Sequence, residues 1–317
     1  MKPYLCAAIA LALLKPGVAA PSGANSTRTL PLHGRMRTYL LHVPPSPNGA
    51  LVLAFHGGGQ IAHEQETLSA FDTLSDREHV IVAYPQGIER SWADGRGTTK
   101  ADREGIDDVG FAKAVVADVA ASHPIDRARV YATGPSNGGI FTNRLGCDAA
   151  DTFAAIAPVI GPIASAVALR CRPSAPIAVV GIQGVADPVV PFGGGEVGGT
   201  LDGAAAGGRV ESSRATQALW AQANGCETSF SVVKLPVRVK DGTSVARHAY
   251  GGCRAGADVV WYEIEGGGHR WPPRRGERPM VERAAVRLLG VSSQNLDATE
   301  VIWTFFSGHR RSGAWAP

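Results

Sequence analysis

The stretch Tyr131-Ala-Thr-Gly-Pro-Ser-Asn-Gly-Gly-Ile-Phe141, YATGPSNGGIF, decides how the rest of the chain is read. The run before it, Arg129-Val-Tyr-Ala-Thr133, is short and rich in β-branched and aromatic residues, the signature of a strand. From Asn137 to about Ala150 the residues suit a helix and include no proline. Strand, G-x-S-x-G, helix is the setting that holds a nucleophilic serine at the tip of a sharp turn. Gly134 and Gly138 lack the Cβ atoms that so tight a reversal would force into contact. Taken alone, the pentapeptide also suits an ordinary glycine-rich loop, so its surroundings decide between the two.

Working outward, Leu51-Val-Leu-Ala-Phe55 and Val80-Ile-Val-Ala-Tyr84 are continuous apolar runs, as expected of strands covered on both faces. Further strands are expected at Arg37–Val43, Ala154–Val159, Ile177–Ile182 and Asp258–Ile264. Helices are expected over Glu64–Arg77, from Asp107-Asp108 to about Ala121, over Ser212–Ala223 and over Ala298–Ser307. Val232 to Tyr250, with the turn signal Asp241-Gly242, predicts a peripheral hairpin, and residues 21–35 are read as polar and loose. Strands alternating with helices imply an α/β fold, with a mostly parallel central sheet flanked by helices, in a single domain.

Three other glycine-rich or proline-bounded loops follow predicted strands, where open α/β sheets place their sites. His56-Gly-Gly-Gly-Gln60 has the form of a loop whose amides hold an oxyanion, with Gly58 or Gly59 partnering the amide of Asn137. His56 itself is read as structural. In Gln183-Gly-Val-Ala-Asp-Pro-Val-Val-Pro191, Asp187 is placed to orient an imidazole, although a lone Asp-Pro also suits a plain turn. In Glu265-Gly-Gly-Gly-His-Arg-Trp-Pro-Pro273, His269 is the candidate base. The order Ser136, Asp187, His269 differs from that of chymotrypsin or subtilisin and matches the order that accompanies a G-x-S-x-G nucleophile elbow in α/β-hydrolases. Trp92 and Trp271 are candidate walls of a substrate pocket, and Asp107 with Asp108 reads as a helix cap.

The chain's 317 residues are 44% hydrophobic and 19% charged, with a formal charge of +3. That balance suggests neither a nucleic acid nor a membrane as partner, and Arg270 with Arg274 and Arg275 is read as solvated surface. The first residues, MKPYLCAAIALALLKPGVAAPSG, predict a signal peptide over 1–20, cleaved after Ala20, with the catalytic domain at 21–317. Lys15 and Pro16 make the apolar run too short to span a bilayer. A secreted product, extracellular or periplasmic, follows as the expectation. Without Cys6 the cysteines are Cys147, Cys171, Cys226 and Cys253. They permit three pairings, of which the sequence-local Cys147–Cys171 and Cys226–Cys253 is favoured. No spacing proposes a metal site, and no cofactor is called for.

GPSNGG, HGGGQ, Asp107-Asp-Val-Gly-Phe111, ADPVVP, GGGHRWP and the ending ATEVIWTFF together resemble the secreted polyhydroxybutyrate depolymerase/feruloyl esterase-like family of α/β-hydrolases, from about Arg37 to Phe306. The resemblance implies that Ser136 is the nucleophile, Asp187 the acid and His269 the base, and it supports the two local disulfides. Where the family commonly has His-Gly before the acid, this chain has Gln183-Gly184. The activity implied is hydrolysis of a carboxylic ester, a 3-hydroxyalkanoate oligomer or a feruloyl-type aromatic ester. The alternatives are a serine peptidase on the same fold and a binding protein that kept the fold without the chemistry.

Overall fold

A computed structural model describes residues 23–198, 207–273 and 279–311. The expected leader, Arg274 and Arg275 lie outside the described residues. The first half runs β1 (Ala24–Leu32), β2 (Arg35–Val43), β3 (Leu51–Ala54), α1 (Ala62–Ser69), α2 (Phe71–Glu78), β4 (Ile81–Pro85), α3 (Lys100–Arg103), α4 (Asp108–Ser122), β5 (Val130–Pro135) and α5 (Asn137–Asp148). The second runs β6 (Ala155–Val159), α6 (Ser165–Ala168), β7 (Ala178–Gly184), the two-residue strands β8 (Gly195–Glu196) and β9 (Arg209–Val210), and α7 (Ser213–Ala223). It closes with β10 (Phe230–Lys234), β11 (Ser244–Tyr250), β12 (Val259–Glu265), α8 (Pro279–Leu289) and α9 (Ala298–Ser307).

Ten of the described strands form one sheet in the order β1-β2-β4-β3-β5-β6-β7-β12-β11-β10. The middle six, from β4 to β12, are parallel, and the pairs at each edge are antiparallel. The sheet is mostly parallel because helices cover both faces of its centre. In β3 the alternation is direct: Leu51, Leu53 and the following Phe55 join a core with Phe111 of α4 and Phe141 of α5. Val52 and Ala54 join the opposite core with Phe71 of α2 and Phe306 of α9. Burying each large apolar side chain contributes about 2 kcal/mol, so a fully apolar strand is stable only at such a position.

The segment expected to be loose is a strand where it is described. Residues 24–32 are an ordered edge strand, paired with β2 from Ala24↔Val43 to Leu32↔Arg35. The tight turn between them is His33-Gly34, both with positive φ (47° and 74°). Only Leu30 of β1 is buried, so the strand carried almost no apolar signal. The expected helix over 64–77 is two helices, broken at Ala70, whose φ of 53° is left-handed. The hairpin stands as β10 and β11, in register from Phe230↔Tyr250. Both local disulfides are present, Cys147–Cys171 and Cys226–Cys253. No helix among the described residues is long and apolar enough to cross a membrane.

Candidate active site

Four loops meet beyond the C-terminal ends of β3, β5, β7 and β12. After β5 the chain reverses at Ser136, which holds φ 56° and ψ −125°, a conformation costly for any residue but glycine. The strain is sustained by close backbone packing. A Cβ on Gly134 would lie 2.5 Å from Phe55 O, and one on Gly138 would lie 2.6 Å from both Phe55 O and His56 O. Gly161, which the sequence reading missed, lets the next loop pass the serine; a Cβ there would lie 2.5 Å from Ser136 O.

The Ser136 hydroxyl lies 2.9 Å from His269 Nε2, and His269 Nδ1 donates to Asp187 Oδ2 at 2.8 Å. A carboxylate only accepts, so the proton sits on Nδ1 and Nε2 faces the serine as acceptor. Asp187 is held in turn: its Oδ1 accepts the amides of Val189 and Val190, each at 2.8 Å. The Asp-Pro turn therefore aims the second carboxylate oxygen at the ring. His269 is fixed through its own amide, which donates to Leu289 O at the end of α8. A Cβ at Gly184 would meet Gly267 O and Gly268 O at 2.4 and 2.5 Å, so the acid and histidine loops pack backbone to backbone. Gln183, which stands before that glycine, is buried and directs its amide to Val190 O at 3.5 Å.

In the His56–Gln60 loop the imidazole is fully buried. Nδ1 donates to Gly57 O at 2.8 Å and Nε2 accepts from Gly87 N–H at 3.0 Å. Burial pushes its pKa down to about 4, against the opposing hydrogen bond to Gly57, so the ring is neutral and braces the loop. Gln60 holds the other side, its Oε1 accepting the Gly57 amide at 2.9 Å. The two candidate loop amides differ. Gly59 N–H donates to Arg90 O at 2.8 Å. Neither Gly58 N–H nor Asn137 N–H has a backbone partner among the described residues.

Both tryptophans depart from the expected pocket walls. Trp92 is completely buried; its indole donates to His56 O at 2.8 Å and stacks on Phe141. Trp271 is also buried, donating to Thr299 Oγ1 at 3.2 Å and meeting Phe71 edge-on. Neither ring has an open face, because each fills the core beneath the loops. Of the acidic pair, Asp107 caps α4 by accepting Gly110 N–H, whereas Asp108 is buried and pairs with Arg37 at 2.6 Å. Arg270 is likewise no surface residue: it is buried and bidentate with Glu282 of α8, at 2.7 and 2.6 Å. Among the described residues no cluster of three or more His, Cys, Asp or Glu is arranged to hold a metal.

Comparison with known proteins bears on the chemistry. No family model matches the chain. It is 32% identical over 283 residues to the putative esterase NocK of Nocardia uniformis subsp. tsuyamanensis, covering 86% of this chain and 82% of that one. It is 27% identical over 312 residues to the probable feruloyl esterase C of Aspergillus terreus, covering 93% and 94%. The acetyl xylan esterase from Aspergillus awamori shares the fold, with a TM-score of 0.53 at 15% identity over 78% of this chain and 95% of that one. The chain thus belongs to the polyhydroxybutyrate depolymerase/feruloyl esterase-like family of α/β-hydrolases, and it is a carboxylic ester hydrolase.

Proposed function

We propose that ester hydrolysis runs through a Ser136–His269–Asp187 triad and an acyl-enzyme. The observation that carries the reading is the continuous hydrogen-bonded line from Asp187 Oδ2 through the imidazole to Ser136 Oγ, on a serine held at positive φ. His269 Nε2 takes the hydroxyl proton as Oγ attacks the ester carbonyl. The oxyanion is received by the amides of Gly58 and Asn137, while Gly59 ties the loop to Arg90. The imidazolium, steadied by Asp187, then protonates the leaving alcohol. Water, deprotonated by the same ring, releases the acid and restores the serine.

The substrate is a feruloyl-type aromatic ester or a 3-hydroxyalkanoate oligomer, and the likeness to the probable feruloyl esterase C of Aspergillus terreus favours the first. The burial of Trp92 and Trp271 removes the aromatic-wall argument for it, so the preference rests on that likeness. Residues 1–20 are a leader removed on export, which leaves 21–317 as one catalytic unit outside the cytoplasm. Two disulfides suit an oxidising compartment.

The test is hydrolysis by purified protein across p-nitrophenyl acetate and butyrate, methyl ferulate, 3-hydroxybutyrate oligomers and a short peptide, with Ser136→Ala as control. The expected result is Ser136-dependent turnover, highest on methyl ferulate. Preference for the oligomers would assign polyester breakdown instead, peptide cleavage would favour a peptidase, and turnover retained in Ser136→Ala would exclude the triad. Sequencing the exported protein from its N-terminus should begin at Pro21.

A further inference from the structure

The two amides assigned to the oxyanion come from different segments. β3 and β5 pair as far as Ala54↔Thr133, and Phe55 N–H donates to Thr133 O. Beyond that point the glycine loop and the serine turn leave the ladder; they touch at Gly138, against Phe55 O and His56 O, and a side-chain brace joins them as well.

Trp92 supplies it. Its indole donates to His56 O at the root of the glycine loop. Its backbone is gripped from the other side by the buried side chain of Asn137: Oδ1 accepts Trp92 N–H at 2.9 Å, and Nδ2 donates to Trp92 O at 3.2 Å. Nδ2 also donates to Asp94 Oδ2 at 2.6 Å. Asp94 is completely buried, and Arg96 binds the same oxygen through Nε and Nη2, at 2.9 and 2.8 Å. Arg96 is anchored in turn by donating to Gly207 O at 2.9 Å.

We propose that Asn137, locked by Asp94, is a positioning residue that sets the spacing of the two oxyanion amides through Trp92. This rests on the reading of Ser136 as nucleophile. The chemistry of Asp94 explains why an amide is needed at 137. A carboxylate can only accept, so it fixes Nδ2 towards itself and leaves Oδ1 for Trp92 N–H. Aspartate at 137 would set a second acceptor against Asp94 and Trp92 O. A buried ion pair such as Asp94–Arg96 adds little net stability, so its role here is to fix a geometry.

The experiment compares wild type with Asn137→Ala, Asn137→Asp and Trp92→Phe, the last keeping a smaller aromatic ring but removing the bond to His56 O. Steady-state kinetics are measured with inhibition by an aryl trifluoromethyl ketone, which forms a tetrahedral adduct on the serine. Losing a whole oxyanion donor costs about 10²–10³ in kcat, and misplacing one costs less. Asn137→Ala keeps its main-chain amide, so kcat is expected to fall about 30-fold with KM within about twofold. The ketone's inhibition constant should rise by the same factor, because the loss is confined to the tetrahedral state. Asn137→Asp should fall at least as far, and Trp92→Phe by about fivefold.

Labelling of wild-type Ser136 by a fluorophosphonate, run on the same preparation, separates two failures. An unlabelled wild type would remove the reading beneath this inference. A labelled wild type with unchanged kcat and ketone affinity in Asn137→Ala would overturn the inference alone, as would a rise in KM with kcat preserved. If neither Asn137 variant folds, Trp92→Phe decides: wild-type kcat and ketone affinity there would overturn it.

Discussion

Acidification is expected to weaken the His56–Gln60 loop through His56, and the size of the effect follows from burial. The ring is completely buried, donating from Nδ1 to Gly57 O and accepting at Nε2 from Gly87 N–H. Burial pushes its pKa from 6.5 down to about 4. The unfolded chain solvates the ring and takes up its proton near pH 6.5. Between the two values the unfolded state binds more protons than the folded state. The stability from His56 is therefore full above pH 6.5 and lost as pH falls towards 4. A separation of this size amounts to about 3 kcal/mol in full, and about 2 kcal/mol of it is gone by pH 5. Other buried groups act oppositely. Burial raises the pKa of Asp94 and of Asp108 against their arginine partners, and those carboxylates favour the folded state on acidification. Comparison with His56→Gln cancels them, since glutamine offers Gly87 an acceptor but does not titrate. In urea unfolding at pH 7 and pH 5, the lead of wild type over His56→Gln should shrink by about 2 kcal/mol. Curves that stay parallel across that range would refute the reasoning.

Three further outcomes are expected. Asp187→Asn keeps the two amide contacts of Oδ1 but favours the wrong histidine tautomer, so kcat should fall about 10⁴-fold with the fold intact by circular dichroism; a loss under tenfold would argue against it. Gly138→Ala drives a Cβ to 2.6 Å from two carbonyl oxygens of the glycine-loop segment. It should cost about 1–3 kcal/mol in thermal unfolding and lower kcat, and a variant with wild-type melting and turnover would show that the loops are not packed as described. Cys147→Ser with Cys171→Ser opens a link of 24-residue separation between the end of α5 and the chain beyond α6, and urea unfolding should show a loss of about 3 kcal/mol.

What was legible in the sequence follows from where the physical cause is local. Runs such as Leu51–Ala54 are apolar because both faces of the central strands are covered, and that can be read residue by residue. Gly134 and Gly138 at the serine turn mark close backbone passages. The edge strand β1 was missed because a single buried side chain, Leu30, gives no periodicity, and its turn rests on a histidine in the left-handed region. The break at Ala70 is carried by backbone geometry that alanine does not announce. Asp107 and Asp108 look alike in sequence. Their roles diverge because Arg37, 71 residues earlier, reaches one of them across the fold. Trp92 and Trp271 stand beside the right loops, but whether an aromatic ring faces a cleft or the core is settled by its tertiary neighbours. The Asn137–Asp94–Arg96 bracket is of the same kind, joining residues 43 apart that no motif links.

The proposed activation of Ser136 by His269 is open to direct chemical test by peptide mass mapping after reaction with a fluorophosphonate, on active wild type, Ser136→Ala and His269→Ala. One adduct is expected on Ser136 in wild type, none in Ser136→Ala, and labelling slowed by orders of magnitude in His269→Ala. An active enzyme whose adduct falls on another residue, or whose Ser136 stays unmodified while activity is lost, would contradict it.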